Sequence, residues 1–304
     1  MLVKEFKVGN TIAEVLLVSE IKEGKTQRGE PFKSVTLRDS SGIIQGKIWN
    51  GPLIGYPLKE GELVEVTGSV SEYQGTPQLT INNLTQAVTS KSISEFYPRS
   101  KFSDEELCQQ INEAITTIKD EDFVGILKTF YEENMEAFLF STAAATVHHA
   151  FVGGLAQHTL EVFNNADALC KVNPSLNRDL LCTAALLHDV GKIDEYQPMP
   201  INDFSVQGII AGHIFLGAEL VGQIGRTIGV PETKIQLLQH LVLAHHGELE
   251  YGSPVKAAIP EAIVLHYCDN VSAKLQHYRE AIDGKDSGSI VRKDFVYGNS
   301  LLVQ

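Results

Sequence analysis

The sequence has few of the residues that mark exported, disulfide-bonded proteins. Among its 304 residues it has only four cysteines, Cys108, Cys170, Cys182 and Cys268, and no two of them are spaced as C-x-x-C. We interpret them as reduced core residues, which argues against a disulfide framework and against a thiolate zinc site. The start, MLVKEFKVGN, has no apolar signal core, and no apolar run reaches the roughly 18 residues of a membrane span. We therefore expect a cytoplasmic protein with no membrane association.

Positive charge is also scarce. The chain has 25 Lys and Arg against 38 Asp and Glu, a net charge of −13, which argues against a broad non-specific nucleic-acid surface. Residues 1–90 are nearly balanced, with nine basic and ten acidic side chains, so the acidic excess lies C-terminal to them. A local nucleic-acid-binding surface in the first 90 residues is compatible with this distribution.

The first 90 residues have the pattern of a small all-β barrel. Five β-branched runs are separated by Gly, Pro, Asn and Asp turns: TIAEVLLVSEI, PFKSVTLRD, GIIQGKIW, ELVEVTGSVSEY and TPQLTINNL. Five short strands at regular spacing favour a closed barrel, because closure leaves no exposed strand edge. Residues 37–49 predict a strand, a tight turn and a second strand. This hairpin resembles that of nucleic-acid-binding OB-folds, although turn chemistry alone would produce similar letters in other hairpins.

The pattern changes after residue 90. Residues 91–102, with a proline and mixed charges, are predicted to be a linker. From Ser103 apolar residues recur at helical spacing, and Ser103 with Glu106 predicts a capping box at the first helix. We therefore expect an all-α domain over residues 103–284. The tail, residues 285–304, has no predicted structure.

A set of histidines and aspartates is distributed through the helical half. The pair His188-Asp189 is a weak motif alone, but it ends an apolar helix, where an unpaired carboxylate would be costly. The other members lie about one helix and one connection apart along the chain: His158, His213, His245, His246 and Asp269. Because each interval brings in a new helix, all of these side chains can face one core and share a divalent cation.

The order H…HD…H…HH…D, between about residues 140 and 280, resembles the HD superfamily of metal-dependent phosphohydrolases. The resemblance implies two metal ions with Asp189 bridging. One ion would be held by His158, His188, Asp189 and Asp269, and the other by Asp189, His213, His245 and His246. Some two-metal members have a glutamate one turn before the first histidine, where this sequence has Gly154. The mixed nitrogen and oxygen donors favour manganese, with iron, cobalt, nickel or zinc as alternatives.

Residues 148–159, HHAFVGGLAQHT, are a more distinctive stretch. Together with the upstream OB-like barrel they resemble the YhaM-type 3′-to-5′ exoribonucleases of bacteria, across barrel, linker and helical domain. The resemblance implies metal-dependent removal of nucleotides from the 3′ end of single-stranded RNA, with single-stranded DNA as an alternative substrate. The products would be nucleoside 5′-monophosphates.

Three residues are candidates for catalysis. Asp189 would share its charge between two metals. Lys192, one helical turn from His188, would meet a phosphate oxygen, or alternatively would cap the helix. His149 would contact substrate or metal, or alternatively would be structural. The remaining helical histidines, His240, His266 and His277, are predicted to be structural or exposed.

The barrel offers candidates for nucleic-acid contacts. Phe32, Trp49 and Tyr73 would stack on bases, while Lys47 and Arg38 would touch phosphates. For each aromatic residue, packing in the barrel core is the alternative.

Three functions follow from this organisation. The first is the exoribonuclease, and the second is a phosphohydrolase of nucleotides or cyclic dinucleotides with the same metals. The third is a nucleic-acid-binding adaptor with a degenerate helical domain, against which the intact ligand set argues. The sequence leaves open the preference for RNA or DNA and whether the chain forms a homo-oligomer.

Overall fold

The computed structural model of the protein describes residues 1–26, 28–49, 51–144, 151–197 and 203–304. Within these residues Met1–Arg99 form one compact unit, and the chain from Ser100 onward forms another. The first unit is mostly β-structure and the second is mostly helical. The predicted architecture, a β-barrel followed by an all-α domain, is confirmed.

The first unit is a closed barrel of five strands. They are β1 (Thr11–Lys25), β2 (Pro31–Asp39), β3 (Gly42–Ile48), β4 (Leu63–Tyr73) and β5 (Thr76–Gln86), with a short helix α1 (Gly51–Ile54) between β3 and β4. Their order is β1-β2-β3-β5-β4, with β3 and β5 parallel and β4 closing against β1. Because each strand has two neighbours, the barrel leaves no strand edge unpaired.

The predicted hairpin joins β2 to β3. Asp39 pairs with Gly42 across the turn, and its side chain accepts hydrogen bonds from the backbone N–H and the hydroxyl of Ser41. The same buried carboxylate accepts a hydrogen bond from the backbone N–H of Val3 at 2.8 Å. The aspartate therefore fixes both the turn and the N-terminal segment, as expected of an Asx residue at this position.

The segment after β5 is more ordered than its composition predicts. Ile93–Phe96 form one turn of 3-10 helix, and Phe96 and Tyr97 are buried. The guanidinium of Arg38 lies 4.0 Å from the centre of the Tyr97 ring. The burial of Phe96 and Tyr97 and the cation–π contact with Arg38 explain why the compact unit continues past residue 90 to Arg99.

The second unit is built from helices and a small hairpin. The helices are α2 (Asp104–Thr116), α3 (Glu121–Phe140), α4 (Gly154–Val172), α5 (Arg178–Leu187), α6 (Lys192–Glu195), α7 (Val206–Thr227), α8 (Glu232–Ala244) and α9 (Pro260–Ile282). The predicted capping box is confirmed, since the Ser103 hydroxyl accepts from the Glu106 N–H and the Glu106 carboxylate accepts from the Ser103 N–H.

Helix α5 lies at the centre of this unit. All of its residues from Leu180 to Leu187 are buried, so its C-terminal end delivers the following residues into the interior. The four cysteines are unpaired, and Cys170, Cys182 and Cys268 are buried. Burial raises the pKa of both the Cys182 and the Cys268 thiols to about 12, which keeps them protonated.

Helix α7 corrects the expectation about apolar runs. By length and composition alone it could cross a membrane, although the core helix of a soluble protein meets the same criterion. The helix is kinked at Gly212, where φ is 69°. Its buried side chains pack in the core of the helical unit, and Gly217 approaches the backbone of Gly191.

The C-terminal tail packs against α9. Strands β6 (Ile290–Val291) and β7 (Leu301–Leu302) form a small antiparallel pair. The Tyr278 hydroxyl donates a hydrogen bond to the Leu302 carbonyl at 2.5 Å. A buried pair joins His277 Nε2 to an oxygen of Asp294 at 2.8 Å. The segment for which no structure was predicted is thus part of the helical unit.

Candidate metal centre

The predicted ligands come from separate helices that converge on one point. His158 lies on α4, His213 on α7 and Asp269 on α9. Two pairs come from the ends of buried helices: His188 and Asp189 directly follow α5, and His245 and His246 directly follow α8. A helix end places two consecutive side chains at the same pocket, which explains why both pairs occur at this position in their helices.

One group of donor atoms surrounds His158. Its Nε2 lies 3.2 Å from Nε2 of His188, 3.2 Å from an oxygen of Asp269 and 3.5 Å from Oδ2 of Asp189. His188 Nε2 is 3.3 Å from the same Asp189 oxygen. Two imidazole nitrogens and two carboxylates therefore face one small volume, the arrangement expected of a cation site.

A second group lies on the other side of Asp189. Donor atoms of His213, His245 and His246 all lie within 4.8 Å of one another. The second carboxylate oxygen of Asp189, Oδ1, is 3.5 Å from His213 Nε2 and 3.6 Å from His245 Nε2. Asp189 thus directs one oxygen to each group and could share its charge between cations held there.

Hydrogen bonds made by Nδ1 orient all five histidines, whose Nε2 atoms face the centre. In each case Nδ1 has an acceptor, so the neutral form of the ring carries its proton on Nδ1 and presents the lone pair of Nε2 to the centre. The acceptors are the carbonyls of Ala185, Val242 and Tyr251 for His188, His245 and His246, the hydroxyl of Ser272 for His158 and the carboxylate of Glu195 for His213. Such outer partners are typical of metal-binding histidines.

Three buried atoms at the centre have no hydrogen-bond partner among the described residues. They are Oδ1 of Asp189 and Nε2 of His213 and His245. An unsatisfied buried polar atom costs about 1–3 kcal/mol, so such atoms are rare in native proteins. Divalent cations would satisfy all three. The residues present therefore fit a divalent-cation centre.

The ionisation of the ligands also favours cations. Burial raises the pKa of Asp189, but the charges of Lys192 and His188 outweigh burial and hold that pKa well below its usual range. Burial lowers the pKa of His245 and of His246, which keeps both imidazoles neutral, as metal ligands must be. Burial opposes charge on His188 as well, but Asp189 raises its pKa, which shows that positive charge is favoured there.

Glu195 holds His213 in place and was not among the predicted site residues. Its Oε1 accepts hydrogen bonds from both the backbone N–H and the ring Nδ1–H of His213, each at 2.9 Å. Close packing supports this contact, because a Cβ on Gly191 would lie 2.1 Å from the His213 carbonyl oxygen. Only glycine allows the turn after Asp189 to approach α7 so closely.

A similar support lies behind His158. Its Nδ1–H donates to the Ser272 hydroxyl at 3.0 Å, and that hydroxyl donates to Glu161 Oε2 at 2.8 Å. Glu161 and Ser272 each lie three residues after a predicted ligand, His158 and Asp269. That one-turn spacing is the signal by which the sequence could have indicated them.

The two groups open into a cavity of about 290 Å³. Predicted residues His158, Asp189, Lys192, His246 and Asp269 line it, and so do Tyr251, His266, Asn270, Lys274 and Val296, which were not predicted. His266 lines the cavity, and its Nδ1–H donates to the His245 carbonyl at 3.0 Å. Lys192 Nζ is 2.7 Å from Asp189 Oδ2. His149 lies outside the described residues.

The predicted nucleic-acid-binding residues of the barrel lie in three separate places. The Phe32 and Trp49 rings are 5.1 Å apart, Lys47 Nζ lies 4.7 Å from the centre of the Phe32 ring, and Trp49 is 51% exposed. Tyr73 is exposed at the end of β4, while Arg38 packs on the ring of Tyr97. Three of the five predicted residues, Phe32, Lys47 and Trp49, are therefore adjacent.

Family models match both units. Residues 155–274 match the model described as HD domain, and residues 15–87 match the model described as OB-fold nucleic acid binding domain. The chain thus joins an HD domain to an OB-fold nucleic acid binding domain, a pair of domains expected of a hydrolytic nuclease.

Two relatives extend over nearly the whole chain. The 3′-5′ exoribonuclease YhaM of Oceanobacillus iheyensis is 30% identical over 295 residues, which are 96% of this chain and 93% of that protein. The 3′-5′ exoribonuclease YhaM of Halalkalibacterium halodurans is 32% identical over 286 residues, 93% of this chain and 89% of that protein. The chain belongs to the YhaM family of 3′-5′ exoribonucleases, which confirms the resemblance seen in the sequence.

Proposed function

We propose that this protein removes nucleotides one at a time from the 3′ end of single-stranded RNA and releases nucleoside 5′-monophosphates in a metal-dependent reaction. The observation that carries the proposal is the pair of donor groups joined by the two oxygens of Asp189. The names of the two relatives support the direction of degradation and the RNA substrate.

The chemistry of phosphodiester hydrolysis matches what these residues offer. When bound, two divalent cations supply charge neutralisation at phosphorus and a lower pKa for water at the site. Asp189 shares one negative charge between the two groups, and the neutral imidazoles add none, so the loaded site would attract an anionic phosphodiester. Lys192 keeps its contact with Asp189 and still has donors for a phosphate oxygen, because an ammonium has three.

The size of the cavity favours an enzyme that acts at a chain end. At about 290 Å³ it is slightly smaller than typical small-molecule pockets, which measure about 300–1,000 Å³. A space of this size suits a single terminal nucleotide rather than the middle of a polymer. His188 and His245 are fully buried behind it, so both imidazoles are shielded from bulk water.

The barrel would hold the single strand. The exposed Trp49 ring next to Phe32 offers a surface on which a base can stack, and Lys47 adds positive charge at the same place. Stacking on aromatic rings with nearby cations is the usual way in which OB-folds bind single strands without strong sequence preference.

We favour manganese as the metal, with two ions per site and iron, cobalt, nickel or zinc as alternatives. Five imidazoles with two carboxylates make a mixed donor set that suits first-row transition ions better than magnesium. Elemental analysis of protein purified without added metal would identify the ion and the number bound. We place the protein in the cytoplasm, in keeping with its unpaired buried cysteines.

The test uses 5′-labelled single-stranded RNA, manganese and the full chain. Stepwise shortening of RNA with an open 3′ end, no shortening of the same RNA with a blocked 3′ end, and 5′-monophosphate products are the expected results. Chelator and Asp189→Asn should each abolish the reaction. Cleavage of the blocked RNA, or full activity in Asp189→Asn, would contradict the proposal. The same assay with DNA of identical sequence decides the substrate preference.

A phosphohydrolase of nucleotides or cyclic dinucleotides is the second candidate, because a cavity that holds one terminal nucleotide also has room for a free nucleotide. The two functions separate in one comparison. An enzyme of this second kind would hydrolyse small nucleotides rapidly and leave RNA intact under the same metal conditions.

A further inference from the structure

A second lysine lines the metal-site cavity besides Lys192. Lys274 is exposed on α9, and its ammonium makes no ion pair with any residue that the structure describes. Asn270, one turn earlier on the same face of α9, lines the cavity too. The cavity therefore has an uncommitted cation on the side of α9, whereas Lys192 is already bound to Asp189.

The C-terminal tail holds this part of α9 in place. The Tyr297 hydroxyl donates a hydrogen bond to the Lys274 carbonyl at 2.7 Å, and Val296 lines the cavity. Asp294 anchors the tail by accepting from His277 Nε2 and from the backbone N–H groups of Val296 and Tyr297. The tail is thus a wall of the cavity, fixed to the turn of α9 that carries Lys274.

We propose that Lys274 binds the phosphate one nucleotide upstream of the bond that is cleaved. This inference rests on the proposed 3′-to-5′ exoribonuclease function. A strand that ends in a free 3′ hydroxyl has no phosphate beyond its last nucleotide. Any phosphate near the site other than the scissile one must therefore lie upstream.

The spacing along α9 fits this assignment. Asp269 belongs to the donor group that surrounds His158, and Lys274 follows five residues later. Five residues of α-helix advance about 7.5 Å along the axis. This advance is comparable with the separation of neighbouring phosphates along an extended single strand. A scissile phosphate at the donor groups would leave the next phosphate within reach of the flexible Lys274 side chain.

The dinucleotides pApA and ApA test the assignment, because they share the scissile phosphate and differ only in the upstream one. We expect the wild-type protein to favour pApA over ApA by roughly tenfold, in kcat/KM with manganese and in Kd with chelator present. Lys274→Met retains the length of the side chain without its charge and should reduce both ratios to about one. The control Lys128→Met removes an exposed lysine of α3 and should keep the wild-type ratios.

The outcomes separate this inference from the proposed function. If the wild-type protein cleaves both dinucleotides and Lys274→Met keeps the preference for pApA, the assignment of Lys274 is wrong while the exoribonuclease proposal stands. An equal preference for the two dinucleotides in the wild-type protein also overturns the assignment. If the wild-type protein cleaves neither dinucleotide nor longer RNA, both proposals fail. Thermal unfolding of each variant confirms that the fold is intact.

Discussion

Metal binding should stabilise the folded protein, and Asp189 should be necessary for this effect. Three buried atoms at the centre have no hydrogen-bond partner among the described residues, and a bound cation would remove a penalty of about 1–3 kcal/mol for each of them. A ligand that binds only the folded state at a concentration of 100 times its Kd stabilises that state by about 2.7 kcal/mol. For a helical unit of roughly 200 residues, 1 kcal/mol shifts Tm by about 2–4 °C. We therefore expect manganese to raise Tm by about 5–11 °C.

The assay is thermal unfolding of chelator-treated protein at increasing manganese concentrations. Asp189→Asn preserves the shape of the side chain but removes the charge shared between the donor groups, and its Tm should rise by less than about 2 °C. Asp194→Asn is the matched control, because this exposed aspartate lies five residues away in the sequence and should leave the response unchanged. A wild-type Tm that does not respond to millimolar manganese would refute the metal centre, and an equal response in Asp189→Asn would refute the bridging role.

Three further results are expected. Glu195→Gln loosens His213 and should weaken metal affinity about 10–100-fold, measured by calorimetric titration. Metal binding should release protons, because Asp189 raises the pKa of His188 and this imidazole must lose its proton to bind a metal ion. As the pH increases through that pKa, metal affinity should rise and the number of protons released should fall. Calorimetric titration with metal in buffers of different ionisation enthalpy measures both. Trp49→Ala should weaken binding of single-stranded RNA by about 1–3 kcal/mol, measured by fluorescence anisotropy with chelator present.

Matched variants control two of these results. Glu133→Gln changes an exposed glutamate of α3 and should leave metal affinity as it is. Ile43→Ala removes an exposed apolar side chain from β3, the strand that precedes Trp49, and should leave RNA affinity unchanged. If a variant and its control lose the same amount of metal or RNA affinity, the loss comes from a general effect on the fold. Absence of proton release at any pH would show that His188 is neutral before metal binds.

The candidate ligand residues could be chosen from the sequence because each is recognised from the helix that carries it and from its distance along the chain to the next candidate. A buried helix that ends in His188-Asp189 needs partners for both side chains, and intervals of one helix place the other donors on neighbouring helices. The barrel was predictable for a similar reason, since alternation and turn residues are properties of short segments. Both predictions depend on sequence neighbours rather than on the angle between two helices.

The other residues that line the cavity depend on how helices pack. His266 and Lys274 lie on the same helix as Asp269, yet nothing in their spacing shows that they share its cavity until α9 is placed against its neighbours. The tail was unpredictable because its order comes from contacts made by α9, such as Tyr278 with Leu302. The position of Arg38 was unpredictable for the same reason, because its partner Tyr97 lies in a segment that composition alone indicates to be a linker.

The distribution of the donors has a consequence for folding. The five histidines and two aspartates come from α4, the end of α5, α7, the end of α8 and α9, so the centre exists only when these elements are packed together. In an unfolded chain the donors are single residues or adjacent pairs, separated by 20 or more residues, and they bind a cation weakly. Metal binding is therefore coupled to the packing of the whole helical unit rather than to one loop. The stabilisation is therefore expected in global unfolding, and Glu195 and Ser272 belong to the centre because they orient His213 and His158.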